Sequence, residues 1–389
     1  MRLILSLLFL FLAITDVFTQ SSTALKPLFS HKNYSIQVSW QDGKVFGTNE
    51  FLRGTNAAGI PINHYQVFSV RLARQTTGTK IWEQLYRYPR YGVGFFMADF
   101  HSKELGKPMS AFGFLTGPVF RSNRFSLTYN VAFGISFNWN VYDPAKNPFN
   151  IAVSSKISSM AEAGLGAEVR LLPGIYTGIE TGFNHFSNGA VVLPNRGINC
   201  GFLKYNLRYD LSRGNTEKIN RQIEKLKPAD EWIIACYTGY NKSEAPSKIK
   251  PTVKQPTHTV FATGIFAIYH CRLNYRSKFG AGVEMGYIGL INPLYINTAT
   301  GLELDRTFDI RRIDFSFFPS YELTIDKLAV FIQAGFYLYR DKLITNSSYF
   351  YQRVGCKYYL TDHLFAAIMV RAAKFMSAQF TEWSLGYRF

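Results

Sequence analysis

The stretch NHFSNGAVVLPNRGIN, residues 184–199, sets His185 and Ser187 two apart and adds Asn188, Gly189, Asn195 and Asn199 around them. A serine hydroxyl whose proton is taken by an imidazole opens esters by nucleophilic attack. Such chemistry needs a third group to hold the ring and hydrogen-bond donors for the oxyanion. Asn199 can accept the second imidazole N–H and so fix the tautomer. Asn188, Asn195 and the backbone at Gly189 are candidates for oxyanion or substrate binding. A His-x-Ser pair also arises by chance, so its meaning depends on the element that carries it.

That element reads IYTGIETGFNHFS from Ile175. A strand period of two puts Ile175, Ile179, Phe183, His185 and Ser187 on one face and Tyr176, Glu180, Asn184 and Phe186 on the other. In the next segment, NCGFLKYNLRYD, Asn199 shares a face with Leu203, Tyr205 and Leu207, opposite Lys204, Arg208 and Asp210. All three candidate residues thus fall on the more apolar side of their strands. The acids Glu162, Glu168 and Glu180 fall on the opposite side by the same parity, away from the histidine.

Alternation of this kind runs through the chain. FSLTYNVAFGISF, FGAGVEMGYIG, LAVFIQAGFYLYR and SYFYQRVGCKYYL each place aromatic and aliphatic residues at every second position. Aromatic content is 16% while mean hydropathy is only −0.04. Those values suit a sheet that is apolar on one face and polar on the other. The expected fold is all-β, an antiparallel transmembrane β-barrel of the outer-membrane type with about 12–16 strands. Candidate strands can be placed from residue 33 to residue 389, separated by turn signals at RSNR, LPG and TDH. With both termini periplasmic, those turns are periplasmic and the loop 188–197 lies outside the cell.

The opening MRLILSLLFLFLAITDVFTQ reads as a secretory signal peptide over residues 1–19, with an apolar run too short to span a bilayer. Residues 20–210 form the strands that carry the active-site hairpin. Residues 211–389 are expected to continue the same barrel and end in FTEWSLGYRF, an alternating strand whose terminal Phe389 resembles the closing signature of bacterial outer-membrane barrels. Within them TEKINRQIEKLKP reads as a short charged helix or tether, and NKSEAPSKIKPTVKQPTH as an outer loop.

A net charge of +17 would suggest nucleic acid in a cytoplasmic protein, but export excludes that partner. At an outer membrane the same charge faces lipid phosphates. Cys200, Cys236, Cys271 and Cys356 are too far apart for a zinc pattern and read as small strand residues. No metal and no cofactor is expected.

HFSNGAVVLPNRGIN resembles the active-site segment of the lipid A 3-O-deacylase family, outer-membrane barrels of eight strands that remove an acyl chain from lipid A. The family pattern is His-x-Ser-Asn followed by Pro-Asn-x-Gly, with an acid closing the triad. The resemblance implies His185 as base, Ser187 as nucleophile, Asn188 and Asn195 as the accompanying asparagines, and lipid A of lipopolysaccharide as substrate. It covers residues 30–210. Two features depart from it: Asn199 stands where the family has a glutamate, and the chain continues for a further half. The alternative function is a channel or transporter, with Glu180, Lys204 and Arg208 lining a pore; a surface-binding barrel is a third.

Overall fold

The computed structural model describes residues 33–211, 217–224, 229–244, 257–289, 295–298, 301–305, 307–341, 349–373 and 377–389. The expected signal peptide, residues 1–19, lies outside them. Strands β1 (Tyr34–Val45), β2 (His64–Gln75), β3 (Arg90–Asp99), β4 (Gly106–Arg121), β5 (Phe125–Trp139), β6 (Ser158–Leu172), β7 (Ile175–Ser187) and β8 (Ile198–Asp210) pair antiparallel in chain order. β8 then returns to β1, from Ser35↔Asp210 to Val45↔Cys200, and closes a barrel.

A second closed barrel is made of β9 (Ala229–Glu244), β10 (Thr257–Arg272), β11 (Ser277–Ile288), β14 (Ile313–Ile325), β15 (Leu328–Tyr339), β16 (Phe350–Tyr359), β17 (Leu364–Ala373) and β18 (Ser377–Arg388). The short strands β12 (Tyr295–Thr298) and β13 (Gly301–Leu304) pair as a separate hairpin between β11 and β14. A five-residue helix, α1 (Ile81–Leu85), follows β2. Residues 217–224, in the tract read as a helix or tether, carry no regular structure.

The sequence therefore supplies sixteen barrel strands, as the alternation predicts, but they close as two barrels of eight. This corrects the expectation of one continuous barrel. Period-two patterning says which way a side chain points, not which strand an edge will meet. That choice depends on inter-strand register and on what fills the interior, and an eight-stranded barrel is just wide enough for side chains to fill.

In the first barrel Glu162 takes Arg71 and Lys204, each at 2.6 Å, and the amide of Asn130 at 2.7 Å. Lys204 also reaches Glu180, and Glu168 takes Arg90 and Arg208. In the second, Arg353 and Arg371 sit between Glu284 and Glu382, all four fully buried. Lys278 and Lys357 share Glu322 farther down. Among the described residues, both lumens are packed with ion pairs and aromatic rings. The outward faces carry the apolar residues: Val93, Phe133, Leu165 and Ile179 on the first barrel, and Ile234, Phe261 and Val283 on the second, are all exposed.

Removing one acid from such a buried cluster leaves two guanidinium groups to share a single carboxylate, an excess of buried positive charge. Glu284→Ala, which strips a counter-ion from both Arg353 and Arg371, is expected to destabilise the second barrel by about 3–5 kcal/mol. Denaturant unfolding of the micelle-embedded protein measures it.

Candidate active site

β7 and β8 run side by side with His185 directly opposite Asn199. Phe186, the residue between His185 and Ser187, points into the lumen. There it meets Phe96, Phe100 and Trp139 edge-on at centroid distances of 6.1, 6.0 and 5.5 Å. That fully buried ring sets the phase of the strand end, so His185 and Ser187 must face outward. Asn199 lies on the same outer wall. Phe46, just past β1, donates its backbone N–H to the Asn199 carbonyl at 2.9 Å and stacks on Phe183, which steadies the start of β8.

His185 Nδ1 is 2.6 Å from Asn199 Oδ1. An amide oxygen only accepts, so the ring proton sits on Nδ1 and Nε2 keeps a free lone pair, the form a general base requires. No carboxylate among the described residues hydrogen-bonds to His185. Glu162, Glu168 and Glu180 are inside the lumen and committed to arginine and lysine.

Ser187 ends β7 and is 8% exposed. Its carbonyl accepts the Ser159 hydroxyl at 2.6 Å. Its own oxygen accepts two donors from the loop that follows, Gly189 N–H at 3.1 Å and Asn195 Nδ2 at 2.8 Å. No hydrogen bond joins it to His185, so the direct hydroxyl–imidazole contact that the spacing suggests is not made here. Asn188, expected beside Asn195 as an oxyanion donor, instead gives its side-chain N–H to the Val192 carbonyl at 2.8 Å. Its backbone N–H approaches Asn195 Oδ1 at 3.4 Å. In this arrangement Asn188 braces the loop, while Gly189 and Asn195 point donors at the Ser187 hydroxyl oxygen.

Gly197 is a position beside the candidate residues that the residue types alone do not reveal. Its φ is 66°, and a Cβ there would lie 3.3 Å from His185 Cε1 and 3.6 Å from Ser187 Cβ. It therefore borders the space between imidazole and hydroxyl. Its N–H is bound to the Ala152 carbonyl and its carbonyl accepts from Asn49 Nδ2 at 3.2 Å, so the backbone has little room to yield. The Gly of PNRG was the available signal. Gly197→Ala combines a left-handed backbone with a methyl group in that space and is expected to lower deacylation roughly 100-fold or more. Steady-state release of fatty acid from lipid A measures it.

Residues 67–209 match the family model described as Lipid A 3-O-deacylase (PagL), and residues 230–389 match that described as Acyloxyacyl hydrolase, C-terminal domain. The division between them falls where the first barrel ends and the second begins. The chain carries a PagL lipid A 3-O-deacylase domain followed by an acyloxyacyl hydrolase C-terminal domain. It is an ester hydrolase of the outer membrane. The match over 230–389 also corrects the reading that family likeness stops near residue 210.

Among solved structures the chain is similar to the outer membrane enzyme PagL, at 16% identity over 44% of this chain and 97% of that one, with a TM-score of 0.28. It is also similar to a mutant ferric enterobactin receptor from Pseudomonas aeruginosa, at 11% identity over 87% and 53% of the two chains, TM-score 0.24. A third is the CymD monoaromatic hydrocarbon channel, at 10% identity over 94% and 91%, TM-score 0.18. None of these superpositions is close enough to compare residues. No curated protein matches the sequence.

Proposed function

We propose that Ser187 cleaves the ester at the 3-position of a lipid A glucosamine, with His185 as general base and Asn199 holding the imidazole. The observation that carries this reading is the gathering of all three side chains on the outward wall, at the outer end of β7 and β8. A substrate embedded in the outer leaflet meets that wall directly, with no lumen to enter. As the ester arrives, Ser187 changes rotamer and gives its proton to His185 Nε2 while its oxygen attacks the carbonyl carbon. The developing oxyanion takes up donors such as Gly189 N–H and Asn195 Nδ2, which the serine oxygen holds at rest. Collapse of the tetrahedral adduct breaks the C–O bond, and the proton on His185 passes to the departing sugar oxygen. Water, activated by the same nitrogen, then releases the fatty acid from Ser187.

Against the channel alternative stand the ion pairs that occupy both lumens among the described residues. Lipopolysaccharide incubated with the purified protein in mixed micelles should yield lipid A lighter by one acyl chain, together with one free fatty acid, by mass spectrometry. Unchanged lipid A alongside steady ion conductance in planar bilayers would instead establish the channel.

A further inference from the structure

The loop 188–197 is held from two directions. Its C-terminal half is tied to the first barrel: Ser154 Oγ donates to the Pro194 carbonyl, and Arg196 and Gly197 donate to the Ile151 and Ala152 carbonyls, each at 3.0 Å. Its N-terminal half, which contains Gly189, is tied to the second barrel. Thr381 Oγ1 donates to the Gly189 carbonyl at 3.0 Å. Lys242 N–H donates to the Val191 carbonyl at 2.7 Å, and Leu193 N–H donates to the Lys242 carbonyl at 2.9 Å.

These contacts use features of the second barrel that, among the described residues, its own closure leaves free. Among the described residues, pairing between β18 and β9 ends at Thr381↔Tyr240, while β9 runs on to Glu244. Val192 forms a parallel bridge to Lys242 on that strand, a short β-augmentation by the active-site loop. Thr381 shares the outward face of β18 with Trp383 and Leu385, which are 39% and 50% exposed, yet Thr381 is only 6% exposed. A Cβ at Gly189 would lie 2.0 Å from Thr381 Oγ1, so the loop and β18 meet at an approach that only glycine permits. Gly189 and Ala190 both have positive φ, 64° and 62°. A non-glycine residue in that region is strained and persists only where its surroundings hold it.

We infer that the second barrel is part of the deacylation site: Thr381 and the edge of β9 at Lys242 are positioning groups that aim the Gly189 N–H at the reacting oxygen. The inference rests on the proposed roles of Ser187 and Gly189. It gives the C-terminal half a task of its own, because among the described residues the donor to the Gly189 carbonyl comes from the second barrel. Donors that stabilise an oxyanion must be fixed to within about half an ångström, and a loop anchored on one side only would not meet that tolerance.

The test uses the full chain in micelles with lipopolysaccharide as substrate. Thr381→Val keeps the shape and β-branching and removes only the donor. It is expected to lower kcat about 10- to 100-fold with KM unchanged, while Thr381→Ser retains parental kcat. Folding is checked by heat-modifiable migration on a gel. Should Thr381→Val not assemble, Lys242→Pro tests the other anchor. Lys242 turns both its N–H and its carbonyl toward the loop, so proline there spares the ladder to β10, and the same fall in kcat is expected. Ser187→Ala in parallel separates the two claims: if it stays active, the proposed nucleophile is wrong. If it is inactive while a folded Thr381→Val, or Lys242→Pro in its place, keeps parental kcat, the positioning role is overturned. Equal loss in Thr381→Val and Thr381→Ser would also overturn it, because the hydroxyl would then not be the group that matters.

Discussion

Ser187→Ala is expected to abolish fatty acid release from lipid A, a loss on the order of 10⁶-fold in kcat where serine is the nucleophile of a serine–histidine hydrolase. The alanine has no atom to form the acyl-enzyme. What remains is the donor pair of Gly189 and Asn195, which can polarise a carbonyl toward water and leaves residual catalysis far below the parent. Assembly should be unaffected. The hydroxyl contributes two neutral hydrogen bonds, each worth roughly 0.5–1.5 kcal/mol, in a barrel whose closure depends on complete β-ladders and a packed lumen. Mass spectra of lipid A and heat-modifiable migration report the two properties separately. Fatty acid release at the parental rate by a folded Ser187→Ala protein would show that another group attacks the ester.

The direction in which Ser187 and His185 point was legible in the sequence. IYTGIETGFNHFS has one phase compatible with a buried Glu180 and Asn184, and the structure buries both while exposing Ile179 and Phe183. The same logic located the barrel strands, because a half-lipid, half-lumen environment imposes alternation on each one. What lies between strands was less legible. α1 and the β12–β13 hairpin sit in segments with no period to betray them.

Closure into two barrels was illegible for a different reason. The pairing of β8 with β1 joins residues 155 to 175 positions apart, from Val45↔Cys200 to Ser35↔Asp210, through backbone groups that every residue carries. The contact of Lys242 with Val191 and Leu193 is hidden in the same way. Alternation in FTEWSLGYRF puts Thr381 on the face of Trp383 and Leu385, but parity cannot say that the loop of the other barrel covers it. The hydroxyl of Ser187 followed its own local donors, which a motif of residue types does not describe.

Asn199 is where this chain departs from the family pattern, and substitutions there have the second largest expected effect. Asn199→Ala removes the only side-chain acceptor that His185 Nδ1 has among the described residues, Oδ1 at 2.6 Å. The ring can then turn, and its proton can move to Nε2, the nitrogen that must receive the serine proton. Loss of the orienting member in serine hydrolases costs up to about 10⁴-fold, and less than loss of the nucleophile. Asn199→Ala is therefore expected to lower kcat by roughly 10²- to 10⁴-fold while leaving measurable activity. Asn199→Glu tests the charge itself. A carboxylate at this position would accept the same N–H and stabilise the imidazolium that forms during attack, which an amide cannot do. Against that stands the cost of burying a charge where Asn199 is only 9% exposed, on a wall that faces lipid. Because the carboxylate would be hydrogen-bonded and paired with the developing cation, Asn199→Glu is expected to match or exceed the parent in kcat. An Asn199→Ala protein as active as the parent would show that something other than Asn199 holds the histidine. An inactive but folded Asn199→Glu protein would show that this site is tuned to a neutral partner.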